Sequence, residues 1–446
     1  MKINNSHKGQ KILILGLGVN QGGLGATKFF ARQGDLVRVT DLKTADQLET
    51  SLNQLKQFPD IEYVLGGHQT ADIDWADLII RNPAIKPDNN FLLYAQKMGK
   101  RVEMDMGIFL ECVEPEQLIG ITGTKGKSTT ASLIYEVLKQ AGKKVILAGN
   151  IRASVLEMLS KIKPDTSVVL ELSSFQLQAF EQHKISPHIA VITNIFPDHL
   201  NYHDTMENYI TAKRAIAKYQ TEDDFLFINA EDKITNQPKF LKSLSGTIKK
   251  FSSANLPKTF RPVLPSQHNL ANMAAALAVT QQLGIPPIQA LSIMQKFPGI
   301  DFRLQFIKEV NGIKIYNDSA STNPESTIQA LQTLPNSILI CGGMNKGLGY
   351  IEMAEAIQKY AKAVYFLEGD ATDQILSLNT KYQIPNTNPH PYNKLEVLLN
   401  EVLSNSRPGD TILFSPGATS FNLFQNEFDR GEKFNQAVKT ALKKYY

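Results

Sequence analysis

The chain of 446 residues has little cysteine and little tryptophan: Cys112, Cys341 and a single Trp. Two distant thiols cannot build a disulfide framework and lack the clustered spacing of a zinc site, so a reducing compartment is expected. No apolar run approaches the ~20 residues of a membrane span. Residues 1–10 (MKINNSHKGQ) also lack the apolar core of a signal peptide, so the expectation is a cytoplasmic protein without membrane association. An excess of one charge is missing too. The balance of 47 basic against 43 acidic residues leaves a net +4. That is too even for the counterion release that drives nucleic-acid binding, though it suits anionic small substrates. With 28 glycines, 21 prolines and 42% hydrophobic residues, and no repeat or low-complexity tract, the composition excludes collagen, coiled coil and disorder.

What is present is an α/β pattern. The length predicts two to four domains at roughly 100–200 residues each, with three the working expectation. Short β-rich runs alternate with helical stretches: KILILGLG (11–18), QLIGITG (117–123), SVVLELS (167–173), IAVITNI (189–195), SILICGG (337–343) and TILFSPG (411–417). Such alternation builds parallel sheets from strand-helix-strand units, and ligands on those sheets bind outside the carboxyl ends of strands. Composition shifts place domain boundaries near residues 111–117 and 297–301.

The segment GITGTKGKS (120–128) follows a strand and opens the helical run TTASLIYEVLKQAG. In that context Gly123, Thr124, Lys125, Gly126 and Thr129 form a phosphate cradle, Lys127 reaches the terminal phosphates and Ser128 ligates magnesium. Ile121 stands where the common nucleotide loop has its first glycine, with Gly120 and Gly123 on either side. The N-terminal run ILILGLGVNQGG suggests a dinucleotide fingerprint, with Asp41 closing the next strand. Gln21 stands where its third glycine belongs, and hydride chemistry leaves the phosphate loop unexplained. An NAD-linked oxidoreductase is therefore the weaker class.

GITGTKGKS resembles the variant loop of the Mur ligase and folylpolyglutamate synthase superfamily, ATP-dependent enzymes that form amide bonds. Further similar motifs follow in order: GNI (149–151), ELSSFQL (171–177), TNIFPDHLNYH (193–203), NYITAKRAI (208–216), HN (268–269), NDSASTNP (317–324) and SPGATSFNLF (415–424). Together they are most similar to the glutamate-adding Mur ligases. The resemblance implies three domains: a Rossmann-like UDP-binding domain (1–112), a central P-loop ATPase-like domain with a mostly parallel sheet (113–300), and a Rossmann-like domain for the amino acid and nucleotide (301–446). It implies a monomer of peptidoglycan-precursor synthesis in which ATP phosphorylates the alanyl carboxylate of UDP-N-acetylmuramoyl-L-alanine and the amine of D-glutamate attacks. L-glutamate as acceptor, and a non-catalytic UDP-sugar-binding paralogue, remain open at this point.

Residue by residue, the resemblance puts Ser128, Glu171, His199 and Lys213 around two magnesium ions, with Lys213 carbamylated, and makes Lys127, Glu171, His199 and Lys213 catalytic. Asn269, Arg303 and Asp318 would face ATP. Asn150 and Ser173 would contact the muramoyl-alanine portion, Gly18 the diphosphate, Leu42 and Lys43 the uracil end, and Lys346 and Ser420 the incoming glutamate. Departures from the family pattern are Arg152 after GNI, Ala320 where a lysine is usual, Leu42-Lys43 in place of Thr-Arg, and the spacing from Phe424 to Phe428.

Overall fold

A computed structural model describes residues 9–18, 21–150, 154–263, 266–385, 390–420 and 422–445; Arg152 lies outside them. The chain forms three sheets. The first comprises β1 (Lys11–Leu15), β2 (Leu36–Asp41), β3 (Glu62–Leu65), β4 (Leu78–Arg81) and β5 (Arg101–Glu103), all parallel in the order β3-β2-β1-β4-β5. The second comprises β6 (Leu118–Thr122), β7 (Val145–Gly149), β8 (Ser167–Glu171), β9 (Ile189–Ile192), β10 (Phe225–Asn229) and β11 (Thr247–Phe251), all parallel in the order β11-β10-β9-β6-β8-β7. The third comprises β12 (Gln305–Val310), β13 (Ile313–Asn317), β14 (Ser337–Gly342), β15 (Ala361–Leu367) and β16 (Thr411–Phe414), in the order β12-β13-β16-β14-β15. Only β12 against β13 is antiparallel.

The central strands are continuous apolar runs, as sheets covered on both faces require. Every residue of β6, β9 and β14 is buried. Three α/β domains result, one per sheet, but they pack as two compact units: Met1–Arg261 with Gln267–Gln295, and Pro262–Ser266 with Lys296–Tyr446. The first unit holds two sheets because one apolar core runs through both, from Ile12 and Ile14 to Val168 and Ile192. The helix Asp105–Leu110, buried at every residue, lies in that core and contacts helices Val155–Met158 and Leu177–His183 of the second sheet. No helix among the described residues is long and apolar enough to cross a membrane.

Candidate active site

In the second sheet the register sets three closures level: Ile121 of β6 pairs with Glu171 of β8, and Glu171 with Gly149 of β7. On the other side Thr122 pairs with Ile192 of β9. The residues that follow these strand ends, 123–128, 150, 172–176 and 193–199, therefore emerge on one edge at the point where the strand order reverses.

The phosphate loop is held from β9. Thr124 N and Lys125 N donate to the backbone and side-chain oxygens of Asn194, each at 2.9 Å, and Thr193 Oγ1 donates to Lys125 O at 2.6 Å. Gly123 and Gly126 have φ of +147° and +86°, where a side chain is strained. A Cβ on Gly123 would lie 1.9 Å from Thr193 Oγ1, and one on Gly126 2.3 Å from Asn272 Oδ1. Gly120 has a different purpose: a Cβ there would meet Pro187 at 2.6 Å, so it serves strand packing. The unusual glycine spacing thus combines one packing glycine with two loop glycines. Lys127 begins the helix Lys127–Gln140, and its Nζ donates to the carbonyls of Gly123 and Thr124 at 3.0 Å. Ser128 and Thr129 follow in the first turn, half-buried. Asn269 is half-buried on the helix Gln267–Gln282, one turn before Asn272, and that helix packs on Lys127–Gln140.

Glu171 is 2% exposed. Its Oε1 accepts from Asn150 Nδ2 at 3.0 Å, while Oε2 is buried with no hydrogen-bond partner among the described residues. A buried carboxylate oxygen left unpartnered is costly unless something cationic meets it. This donor set fits a hard divalent cation, because it offers hydroxyl and carboxylate oxygens beside a phosphate loop. His199 sits at φ +52°, half exposed, with its ring 5.1 Å from that of Phe175. Ser173 is locally tied to Gln176, its Oγ 3.0 Å from Gln176 Oε1.

Lys213 lies on the helix Met206–Arg214 and is 1% exposed. Its Nζ donates to Gly123 O at 2.8 Å and sits 4.7 Å from the centre of the Tyr209 ring. Burial, reinforced by the neighbouring Lys127 charge and opposed by Asp198, pulls its pKa down to about 7. An ordinary solvated lysine is cationic at neutral pH; this one is poised to be a neutral amine. Tyr209 in turn shares a 3.1 Å hydrogen bond with Thr124 Oγ1, so the helix and the loop are tied at two points.

In the first sheet, Asp41 spends both carboxylate oxygens on the local turn, accepting from Gly18 N at 2.8 Å and Lys43 N at 2.9 Å. The acid that the spacing offers to a ribose therefore holds the loop, and the Gly18 amide is already engaged. A cavity of about 390 Å³ opens beside it, lined by Leu42, His68, Ile85, Lys86, Asn89 and Phe91 among others. Leu42 is on its wall; Lys43 is half-buried outside that lining.

In the second unit the closures of β13, β14 and β16 converge. Met344 and Thr419 exchange backbone hydrogen bonds of 3.1 and 2.9 Å, which brings the loop bearing exposed Lys346 to the segment bearing buried Ser420. Gly417 N donates to Ser321 O, drawing in the loop of Ala320. Asp318 is fully engaged: it accepts from Ser321 Oγ at 2.5 Å, Ser415 Oγ at 2.7 Å and Leu304 N at 2.9 Å. Burial nonetheless raises its pKa to about 6. Arg303 is exposed between Phe302 and Leu304, both at positive φ (63° and 45°).

Three family models match along the chain: the Mur ligase MurD-like N-terminal domain over residues 10–103, the Mur ligase middle domain over 121–261, and the Mur ligase glutamate ligase domain over 302–417. A UDP-N-acetylmuramoylalanine–D-glutamate ligase from Roseiflexus sp. (strain RS-1) is 37% identical, the alignment covering 97% of this chain and 99% of the relative. The chain belongs to the Mur ligase family. Enzymes of the same name from Borreliella burgdorferi (strain ZS7) and Treponema pallidum (strain Nichols) are 34% and 32% identical, each over 97% of this chain and 98% of their own length. Among solved Mur ligases, UDP-N-acetylmuramate–alanine ligase from Thermotoga maritima shares the fold with a TM-score of 0.60 at 22% identity, covering 97% of this chain and all (100%) of that one. MurF from Acinetobacter baumannii does so at 0.56 and 15%, covering 97% and 93%.

Within this Mur ligase, Lys127, Ser128, Glu171, Asn150, His199 and Lys213 belong to one edge of the second sheet, whereas Arg303, Asp318, Lys346 and Ser420 belong to the second unit. Sequence reasoning missed Tyr209, Thr193 and Asn194, which hold the loop, and the cavity residues His68 and Phe91. The TNI triplet was visible as a strand end, and its polar residues next to a phosphate loop were the available signal.

Proposed function

We propose that this Mur ligase joins UDP-N-acetylmuramoyl-L-alanine to D-glutamate at the expense of ATP, in the synthesis of the peptidoglycan precursor in the cytoplasm. The observation that carries this reading is the convergence of the phosphate loop, the unpartnered Glu171 Oε2 and the depressed Lys213 amine at the closures of β6, β8 and β9. Relatives that match end to end under the same enzyme name support it.

The domains run 1–112, 113–300 and 301–446 in this reading, and the protein acts as a monomer. The UDP end occupies the cavity beside Leu42, where Phe91 and Ile85 give an apolar slot and His68 and Asn89 polar edges. ATP lies along residues 123–129, with Asn269, on the helix that packs against the loop's helix, toward its nucleoside. The alanyl carboxylate oxygen attacks the γ-phosphorus and ADP leaves; the glutamate amine then attacks the acyl carbon, loses a proton and expels inorganic phosphate. Lys127 follows the charge that develops on the transferring group. Ser128, Glu171 and His199 would hold two magnesium ions, which when bound neutralise the crowded phosphates. The Lys213 ammonium first gives up a proton, which its lowered pKa favours, and the neutral amine then adds carbon dioxide with loss of a second proton, giving a carbamate anion that would steady the metal ligands. Lys346 and Ser420 receive the glutamate carboxylates, where a charged hydrogen bond contributes about 1.5–3 kcal/mol.

Phosphate release tests the reading. It should require ATP, UDP-N-acetylmuramoyl-L-alanine and D-glutamate together. Release with L-glutamate and none with D-glutamate would overturn the acceptor; release with neither would overturn the ligase reading.

A further inference from the structure

The loop that follows β4 lines the cavity through Ala84, Ile85 and Lys86, and it is gripped from the second sheet. The Tyr202 hydroxyl donates to Pro83 O at 3.2 Å, with Ile85 O at 3.4 Å, and accepts from Gln178 Nε2 at 3.0 Å. Gln178 Oε1 accepts from Arg81 at 2.7 Å, and Arg81 also donates to Ile85 O at 2.9 Å. Lys86 pairs with Asp204 at 3.0 Å. Arg81 is 7% exposed, so this network is built into the protein and is not a surface coincidence.

The other end of Tyr202 points to the phosphate edge. Its ring packs edge-on against Phe175 at 4.4 Å, and Phe175 packs against His199 at 5.1 Å. Tyr202 is three residues beyond His199, on the short helix Leu200–His203. His199 holds a left-handed backbone conformation that a non-glycine residue adopts only under constraint from its surroundings. One side chain therefore touches the cavity loop with its hydroxyl and, through Phe175, backs the His199 ring.

We propose that Tyr202 is a positioning residue that registers the nucleotide end of the substrate to the phosphate edge. Its hydroxyl fixes the cavity loop, and its ring, through Phe175, fixes His199. The inference rests on the proposed function for what fills the cavity and what meets His199. A tyrosine that merely stabilised the fold would lose stability and both affinities together. Tyr202 instead has two separable halves.

The test is calorimetric binding of UDP without metal, and of ADP with magnesium, to the full chain and to Tyr202→Phe and Tyr202→Leu. Removing the hydroxyl should weaken UDP about five-fold, the equivalent of one ordinary hydrogen bond of ~1 kcal/mol, and leave ADP with magnesium within two-fold. Removing the ring as well should weaken both, the second several-fold, as expected for the loss of an aromatic pair. UDP binding by Tyr202→Phe equal to that of the parent would overturn the proposal, as would equal ADP-magnesium affinities in the two variants. Failure of the parent to bind UDP would overturn the nucleotide reading itself and the proposal with it.

Discussion

Replacing Lys213 with methionine removes a buried amine of nearly the same length, and the structure says what that is worth. With the pKa pulled from its ordinary 10.5 down to about 7, the folded state binds fewer protons than the unfolded chain between those two values, so stability rises with pH across that window. Below pH 7 the full cost of burying the cation is present, roughly 5 kcal/mol; by pH 9 roughly 2 kcal/mol remains, and near pH 10.5 almost none. Methionine escapes this cost. It forfeits the hydrogen bond to Gly123 O, but Lys127 also donates to that oxygen, so the loss is held to about 1 kcal/mol. Lys213→Met should therefore be inactive yet more stable than the parent by about 3–4 kcal/mol at pH 6, which in a unit of this size raises its melting transition by roughly 10 °C. The gap should shrink by at least half at pH 9. Scanning calorimetry of both proteins in bicarbonate-free buffer at the two pH values reads this directly. A parent as stable as the variant at pH 6, or a gap unchanged at pH 9, would refute the buried-amine argument.

Lys127→Ala should fold normally and lose phosphate release by at least a hundred-fold, since Lys127 opens the helix and its amine is held against the loop carbonyls of Gly123 and Thr124; near-parental release would remove Lys127 from the chemistry. Glu171→Gln replaces the oxygen that lacks a partner with an amide, and should raise the magnesium concentration for half-maximal activity at least ten-fold; an unchanged magnesium dependence would contradict a metal at Glu171. Gly123→Ala forces a Cβ to within 1.9 Å of Thr193 Oγ1 at φ +147°, so ADP affinity should fall while the first-sheet cavity still binds UDP; unaltered ADP binding would show that the loop tolerates distortion. Lys346→Ala should raise the glutamate KM far more than the ATP KM, and Ala320→Lys should lower it; equal glutamate KM in parent and Lys346→Ala would discard that role.

The parallel sheets were legible because their strands are unbroken apolar runs closed by glycine or a small polar residue, and the six such runs noted became β1, β6, β8, β9, β14 and β16. The phosphate loop was legible for the same reason: its glycines, Lys127 and Ser128 are contiguous. Long-range geometry was not. Asp41 has the spacing of a ribose-binding acid, yet its oxygens turn back to the amides of Gly18 and Lys43, and no local pattern reveals which way a carboxylate turns. Gly120 and Gly123 read alike in the sequence, but Pro187, far along the chain, makes one a packing glycine. Lys213 could be placed on a helix from its periodicity, but its neutral tendency depends on burial against the distant loop of Gly123 and Lys127. The merging of two sheets into one unit escaped notice because the helix Asp105–Leu110 is short and shows its apolar side in every direction.

Oxygen transfer from the alanyl carboxylate is the most direct test of the central claim. UDP-N-acetylmuramoyl-L-alanine labelled with oxygen-18 in that carboxylate, turned over with ATP and D-glutamate, should deliver one labelled oxygen into each inorganic phosphate released, because the oxygen that attacks phosphorus leaves with it when the amine displaces the acyl phosphate. Mass analysis of the phosphate reads the label. Phosphate that carries none, formed alongside the amide product, would contradict carboxylate activation and the account built on this site.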